Sequence, residues 1–127
     1  MENKVFHILL AEHSELLRKV LKDRLDMEKD FKVSTVVDGL ELQSYMQEKM
    51  CDLIIAEELL PFKSAFELLK LANDKQIPMI IISDADLEEK ILEAFSLGAA
   101  DFIDKPFSPN EMVARAKNVF RKQSQSA

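Results

Sequence analysis

Cys51-Asp52-Leu53-Ile54-Ile55-Ala56-Glu57-Glu58-Leu59-Leu60-Pro61 is the stretch whose reading decides the fold. Leu53–Ala56 is apolar without alternation, the chain then turns acidic at Glu57 and Glu58, and a proline follows at Pro61. A short run that is apolar on both sides of its pleat reads as a strand covered on both faces, and parallel sheets are the usual case. The segments on either side have helical spacing instead. In Leu40–Met50, residues Leu42, Tyr45, Met46 and Met50 share one face. Ala65–Asn73 offers Phe66, Leu69 and Ala72 in the same way.

Further out, the alternation of short apolar runs and amphipathic segments repeats. The other runs are Val5–Ala11, Val33–Val37, Met79–Ile82 and Phe102–Ile103, the last too short to assign from pattern alone. Helical spacing marks Glu15–Met27 through Leu17, Val20, Leu21 and Leu25, and Leu87–Leu97 through Leu87, Ile91, Ala94 and Phe95. It also marks Met112–Phe120 through Met112, Val113, Ala116, Val119 and Phe120. Start signals agree with these limits. Ser108-Pro109-Asn110-Glu111 reads as a capping box with proline at the first helical position, Asp38 precedes Glu41 by three residues, and Ser14 can cap the first helix. Strands alternating with helices predict an α/β fold with an open, doubly wound parallel sheet. Ligands of such sheets sit outside the carboxyl ends of the strands.

The 127 residues fit one domain, read as residues 1–123, with a polar tail at 124–127. Apolar residues make up 47% and charged residues 31%, the composition of a soluble globular protein. A formal net charge of -6 argues against nucleic-acid and anionic-membrane partners. Cys51 is the only cysteine, which excludes an internal disulfide and favours a reducing, cytoplasmic location. Met1–Lys4 is polar with no apolar stretch of the signal-peptide kind after it, and Ile8–Ala11 and Met79–Ile82 are far too short to span a bilayer. Cys51 and His7 read as structural, and the six methionines as core or interface filler.

At the carboxyl ends of the runs stand Glu12 and His13, Glu57 and Glu58, Ser83 and Asp84, and Asp104 and Lys105. Carboxylates, a hydroxyl and a lysine on one edge suit a hard cation and a phosphoryl group. Charged residues also collect at strand ends because loops are solvated. The chain has no P-loop, no dinucleotide glycine motif and no nucleophile elbow, and only two glycines, Gly39 and Gly98, so an enzyme acting on a diffusible substrate is not expected.

The chain resembles the receiver domain of two-component response regulators over nearly its whole length. Ile8–Ser14 looks like the family's first strand ending in an acidic pair, and Cys51–Pro61 like the third strand ending in the phospho-acceptor with a proline four residues later. Ile80–Ser83 looks like the fourth strand ending in Thr/Ser, and Gly98-Ala99-Ala100-Asp101-Phe102-Ile103-Asp104-Lys105-Pro106-Phe107 like the signature G-A-x-D-(F/Y)-(I/L)-x-K-P-F. The resemblance implies a flavodoxin-like five-stranded sheet in the order 2-1-3-4-5 with five helices. It also implies an acceptor position at Glu57, phosphoryl contacts at Ser83 and Lys105, a metal site at Glu12, His13 and Glu57, and a switch aromatic at Phe102. Lys105-Pro106 is expected to be cis on the same pattern.

Three departures bear on activity. Glu57 stands where the family carries aspartate, and near-attack geometry tolerates little displacement of a nucleophile. His13 replaces a metal-binding carboxylate, and Mg²⁺ prefers oxygen ligands. His13 reads as a solvated loop histidine, with a transition-metal site as the alternative. Phe62-Lys63-Ser64-Ala65 lacks the glycines that follow the proline in the family, which predicts a stiffer turn with Phe62 covering the site. Lys105 is expected to pair with Glu57, leaving Ser83 unbonded to it and Phe102, which has no hydroxyl, free to choose its rotamer.

The leading expectation is a phosphorylation-independent module of two-component signalling that binds a protein, a kinase or a downstream effector. It has no cofactor, and Mg²⁺ binding is weak if present. The family's usual partner surface maps onto the fourth helix, fifth strand and fifth helix, and is read here as Leu87, Ile91, Phe95, Phe102, Met112 and Ala116. No output segment follows it in the 127 residues, so output is expected through this face or from a larger gene product. Monomer and weak dimer both remain open. The alternative is a working receiver phosphorylated by a histidine kinase with Mg²⁺.

Overall fold

The structure, a computed structural model, describes residues 4–84 and 87–125. The runs and segments become β1 (Phe6–Ala11), α1 (Glu15–Asp26), β2 (Phe31–Val36), α2 (Gly39–Glu48), β3 (Leu53–Glu57), α3 (Ala65–Asp74), β4 (Met79–Ser83), α4 (Glu88–Ser96), β5 (Asp101–Asp104) and α5 (Pro109–Gln125). All strand pairs are parallel, in the order β2-β1-β3-β4-β5. This is the expected doubly wound sheet with five helices.

Register makes both faces apolar. Ile8 lies opposite Leu53, Leu10 opposite Ile55, Ile55 opposite Ile80 and Ile82 opposite Ile103. Because side chains alternate along a strand, these residues form one layer, closed by Leu21 and Leu25 of α1 and by Met112, Val113, Ala116, Val119 and Phe120 of α5. The intervening residues Leu9, Ile54, Ala56, Ile81 and Phe102 form the other layer, under Leu42 and Met46 of α2, Leu68 and Leu69 of α3 and Ala94 of α4. Each large apolar side chain so buried contributes about 1.5–3 kcal/mol.

That packing corrects the expected partner face. Met112 and Ala116 have no exposed surface and Phe102 is also buried, because the stripe at spacing i, i+4 on α5 is the one that packs on the sheet. Leu87 and Phe95 remain exposed, together with Leu92, and Ile91 is partly buried against the core. Phe102, read as free to choose its rotamer, packs here in the layer under α2, α3 and α4.

Element ends follow local chemistry. The side chains of Ser14, Asp38 and Ser64 accept the first-turn N–H groups of Leu17, Glu41 and Glu67, and Ser64 with Glu67 completes a capping box. Ser108 likewise accepts from Glu111 N–H at 3.1 Å. Leu87 precedes α4 without any side-chain cap. Helix α5 runs on to Gln125, two residues into the stretch read as a tail, while Ser126 and Ala127, like Met1–Asn3, lie outside the described residues.

The loop from β3 to α3 is held against α2. Gly39 N–H donates to the Pro61 carbonyl at 2.9 Å, and Lys63 N–H closes back on the same oxygen at 2.9 Å. Phe62, between them, has φ 73°, the strained γ-turn conformation. Its side chain is 75% exposed, so it does not cover the site as the sequence suggested. The turn places a bulky residue at positive φ and aims its ring at solvent. A Cβ on Gly39 would sit 2.1 Å from the Lys63 carbonyl oxygen. Gly39→Ala is therefore expected to cost about 2 kcal/mol, the usual scale of overpacking against backbone, read as a lower urea midpoint at constant slope. A loss under about 0.5 kcal/mol would mean that the loop is not docked as described.

Candidate functional site

The carboxyl edge of the sheet gathers Glu12, Glu57, Glu58, Ser83 and Lys105 within one set of contacts. Glu12 follows β1 and is fully buried. Its Oε2 accepts the Ser14 N–H at 3.0 Å, and its Oε1 has no hydrogen-bond partner and lies 4.0 Å from Lys105 Nζ. Burial pushes the Glu12 carboxyl up to about 7; the charge of Glu57 adds to the rise, against the Ser14 N–H and Lys105. Glu57 ends β3, and its Oε2 accepts from Lys105 Nζ at 2.8 Å. The expected ion pair is therefore present, with only 17% of the Glu57 side chain and 22% of the Lys105 side chain exposed. Burial pulls the Lys105 ammonium down, but the Glu57 hydrogen bond and the charges of Glu12, Glu57 and Asp84 outweigh it and hold it above the ordinary lysine value. Lys105 is itself positioned by its N–H on the Ser83 carbonyl at 2.9 Å and by the cis Lys105-Pro106 bond.

Ser83 has a partner that the sequence reading missed. Its hydroxyl donates to Glu58 Oε1 at 2.6 Å, and the other oxygen of Glu58 takes the ammonium of Lys90 from α4. A hydroxyl has one proton to donate, and here Glu58 receives it. Glu58 is 4% exposed. Strand alternation was the available signal. Ile54, Ala56, Glu58 and Leu60 fall on one side by period two, and Ile54, Ala56 and Leu60 all lie in the layer beneath α2, α3 and α4. Glu58 is thus a carboxylate at a core-facing position, where a charge needs a partner. Glu57, one residue earlier, follows Leu53 and Ile55 on the opposite side. The two neighbouring acids therefore address opposite layers of the sheet.

His13 is exposed, and its carbonyl accepts from Arg18 at 3.3 Å. Among the described residues no three His, Cys, Asp or Glu side chains come together as a metal cage. Two carboxylates with an ammonium between them do not fit a hard cation that wants six oxygens. Cys51 is buried and its thiol is pushed up to about 11, chiefly by burial, which fits the structural role read for it. His7 shares its Nε2 with the hydroxyls of Ser34 and Tyr45 at 2.8 and 3.3 Å, at the other end of the sheet from the acidic edge. No helix among the described residues is long and apolar enough to cross a membrane.

Comparison with known proteins gives one family. The model of the response regulator receiver domain matches residues 8–117. Response regulator GtcR of Aneurinibacillus migulanus is 33% identical over 116 residues, which are 91% of this chain and 48% of that protein. The phosphate regulon transcriptional regulatory protein PhoB of Rhizobium meliloti is 31% identical over 119 residues, 91% of this chain and 52% of its own length. The chain thus spans about half the length of these curated relatives. Among solved structures, a CheY-like receiver domain from Methanospirillum hungatei superposes with a TM-score of 0.89 at 19% identity, covering 98% of this chain and 100% of that one. That likeness concerns the fold.

Proposed function

This chain belongs to the response regulator receiver domain family, and from that premise we propose that it is a receiver whose signalling state is set without phosphorylation and read by a protein partner. One observation carries the reading. Ser83 and Lys105, the groups that the family resemblance assigns to phosphoryl oxygens, already have carboxylate partners, Glu58 at 2.6 Å and Glu57 at 2.8 Å. An incoming phosphoryl group would have to displace a charge-assisted contact of Lys105. Glu57 would also have to attack from a position one methylene out of place, with its carboxylate held by that lysine. Metal help is meagre, since the donor set is two carboxylates and an exposed imidazole. The partner is a kinase or a downstream effector, and the net charge of -6 disfavours nucleic acid. Its face includes the exposed Leu87, Leu92 and Phe95 of the α4 region.

The test is incubation with acetyl phosphate and Mg²⁺, followed by intact-mass spectrometry. The expected result is an unchanged mass, and calorimetric titration with Mg²⁺ is expected to give no saturable isotherm in the micromolar range. A phosphate adduct mapping to Glu57 would replace this reading with that of a working receiver.

A further inference from the structure

Glu58 joins β4, α3 and α4 at the carboxyl edge. Its N–H donates to the Ile82 carbonyl of β4 at 2.7 Å, and its carbonyl accepts from Ala65, the first residue of α3, at 2.9 Å. Its carboxylate holds Ser83 at the end of β4 and Lys90 in α4. The backbone bonds fix the Glu58 main chain between β4 and α3, and the residue is 4% exposed. Among the described residues, helix α4 has few other contacts at its near end. It starts without a side-chain cap, Ala94 is its one buried residue, and Ile91 is only partly buried. Its first turn carries Glu88 and Glu89 and no apolar residue. The ammonium of Lys90 also lies 6.0 Å from the centre of the Phe66 ring on α3. The hydrogen bond to Glu58 raises the lysine above its usual value, so Lys90 stays charged across the physiological range.

We infer that Glu58 is the positioning residue that fixes α4, and with it the exposed Leu87, Leu92 and Phe95, by clamping Lys90 and Ser83 from within the fold. The inference deepens the proposed function and rests on it only in calling that surface a signalling face. Glu58 holds α4 through Lys90, and Glu57 neutralises Lys105.

Backbone hydrogen exchange, followed by NMR on the full chain, tests the clamp. Glu58→Gln keeps the shape and an acceptor for Ser83 but removes the charge that holds Lys90. Lys90→Met removes the other partner. In both, the α4 amides are expected to exchange about tenfold faster, one decade per about 1.4 kcal/mol of lost clamping, while amides of β1 and β3 keep their rates. Lys90→Arg, which preserves charge and reach, is expected to keep the wild-type pattern. Lys90→Met alone carries the comparison if Glu58→Gln fails to fold. Unchanged α4 rates, or an equal acceleration in every element, would overturn the proposal. Acetyl phosphate treatment of the wild-type chain judges the phosphorylation-independent reading separately, by mass, so failure of one is not mistaken for failure of the other.

Discussion

Replacing Lys105 by methionine is expected to lower the unfolding free energy by about 3 kcal/mol at pH 8 and by about 1 kcal/mol at pH 5, on the scale known for stranding a buried charge. The reason is the place of its ammonium. It lies 2.8 Å from Glu57 and 4.0 Å from Glu12, and no other cation of the described residues forms an ion pair with either. Methionine has nearly the same length and keeps the packing of the stem, so the change isolates the charge. At pH 8 the variant must hold two neighbouring carboxylates, one fully buried, with nothing between them. At pH 5 the buried acid takes up a proton and the repulsion disappears. Urea unfolding of wild type and variant at both pH values decides it. A loss at pH 8 below about 1 kcal/mol, the range of an exposed pair, would mean that the ammonium is an ornament of the loop.

Glu12→Gln is expected to act in the opposite direction. The Glu12 carboxyl is pushed up from 4.5 to about 7, first by burial. Between these values the folded chain binds more protons at this group than the unfolded chain does. Stability is therefore lost as pH rises from about 4.5 through about 7, and the loss is complete above that. At about 1.4 kcal/mol per unit, the full loss is of order 3 kcal/mol. Glutamine keeps an oxygen for the Ser14 N–H and carries no charge. The variant should match the wild type near pH 5, exceed it by about 2 kcal/mol at pH 8, and lose most of the slope between. Thermal or urea unfolding across that range checks the sign directly. A wild-type stability that stays flat from pH 5 to pH 8 would contradict the burial argument.

The sheet and the Lys105–Glu57 pair could be read from sequence because each rests on a strong local signal. Leu53–Ala56 can only be a strand covered on both faces or a piece of buried helix, and the alternating segments around it choose the first. Lys105 follows a specific ten-residue signature and needs an anion; Glu57 is the acid at the matching strand end. Glu58 was harder. It looked like one more loop carboxylate, and only alternation counted from Ala56 to Leu60 puts it inside. Its partner Lys90 sits on α4, 32 positions away, and no local pattern announces such a meeting. Met112 and Ala116 were misplaced for a different reason. An apolar stripe on a helix suits a partner and a core equally, and it is the sheet that claims it here. Phe62 shows a third limit, since the missing glycines predict a stiffer turn but do not decide which way the ring points, and it points to solvent.

The two layers close in different ways, and this sets an order of assembly. The layer containing Ile54 and Ile81 is roofed by α2, α3 and α4, which follow one another along the chain. The other layer is roofed by α1 and α5, the first and last helices, and Phe120 of α5 stacks on Phe6 of β1 with ring centroids 4.0 Å apart. A chain emerging from the ribosome can therefore finish one side while the opposite side still shows Ile8, Ile55, Ile80 and Ile82 to water. Only the arrival of the 17-residue α5 seals it. Nascent chains stalled before α5 should hold a half-built sheet that invites chaperones, and the fold should become protease-resistant in a single late step.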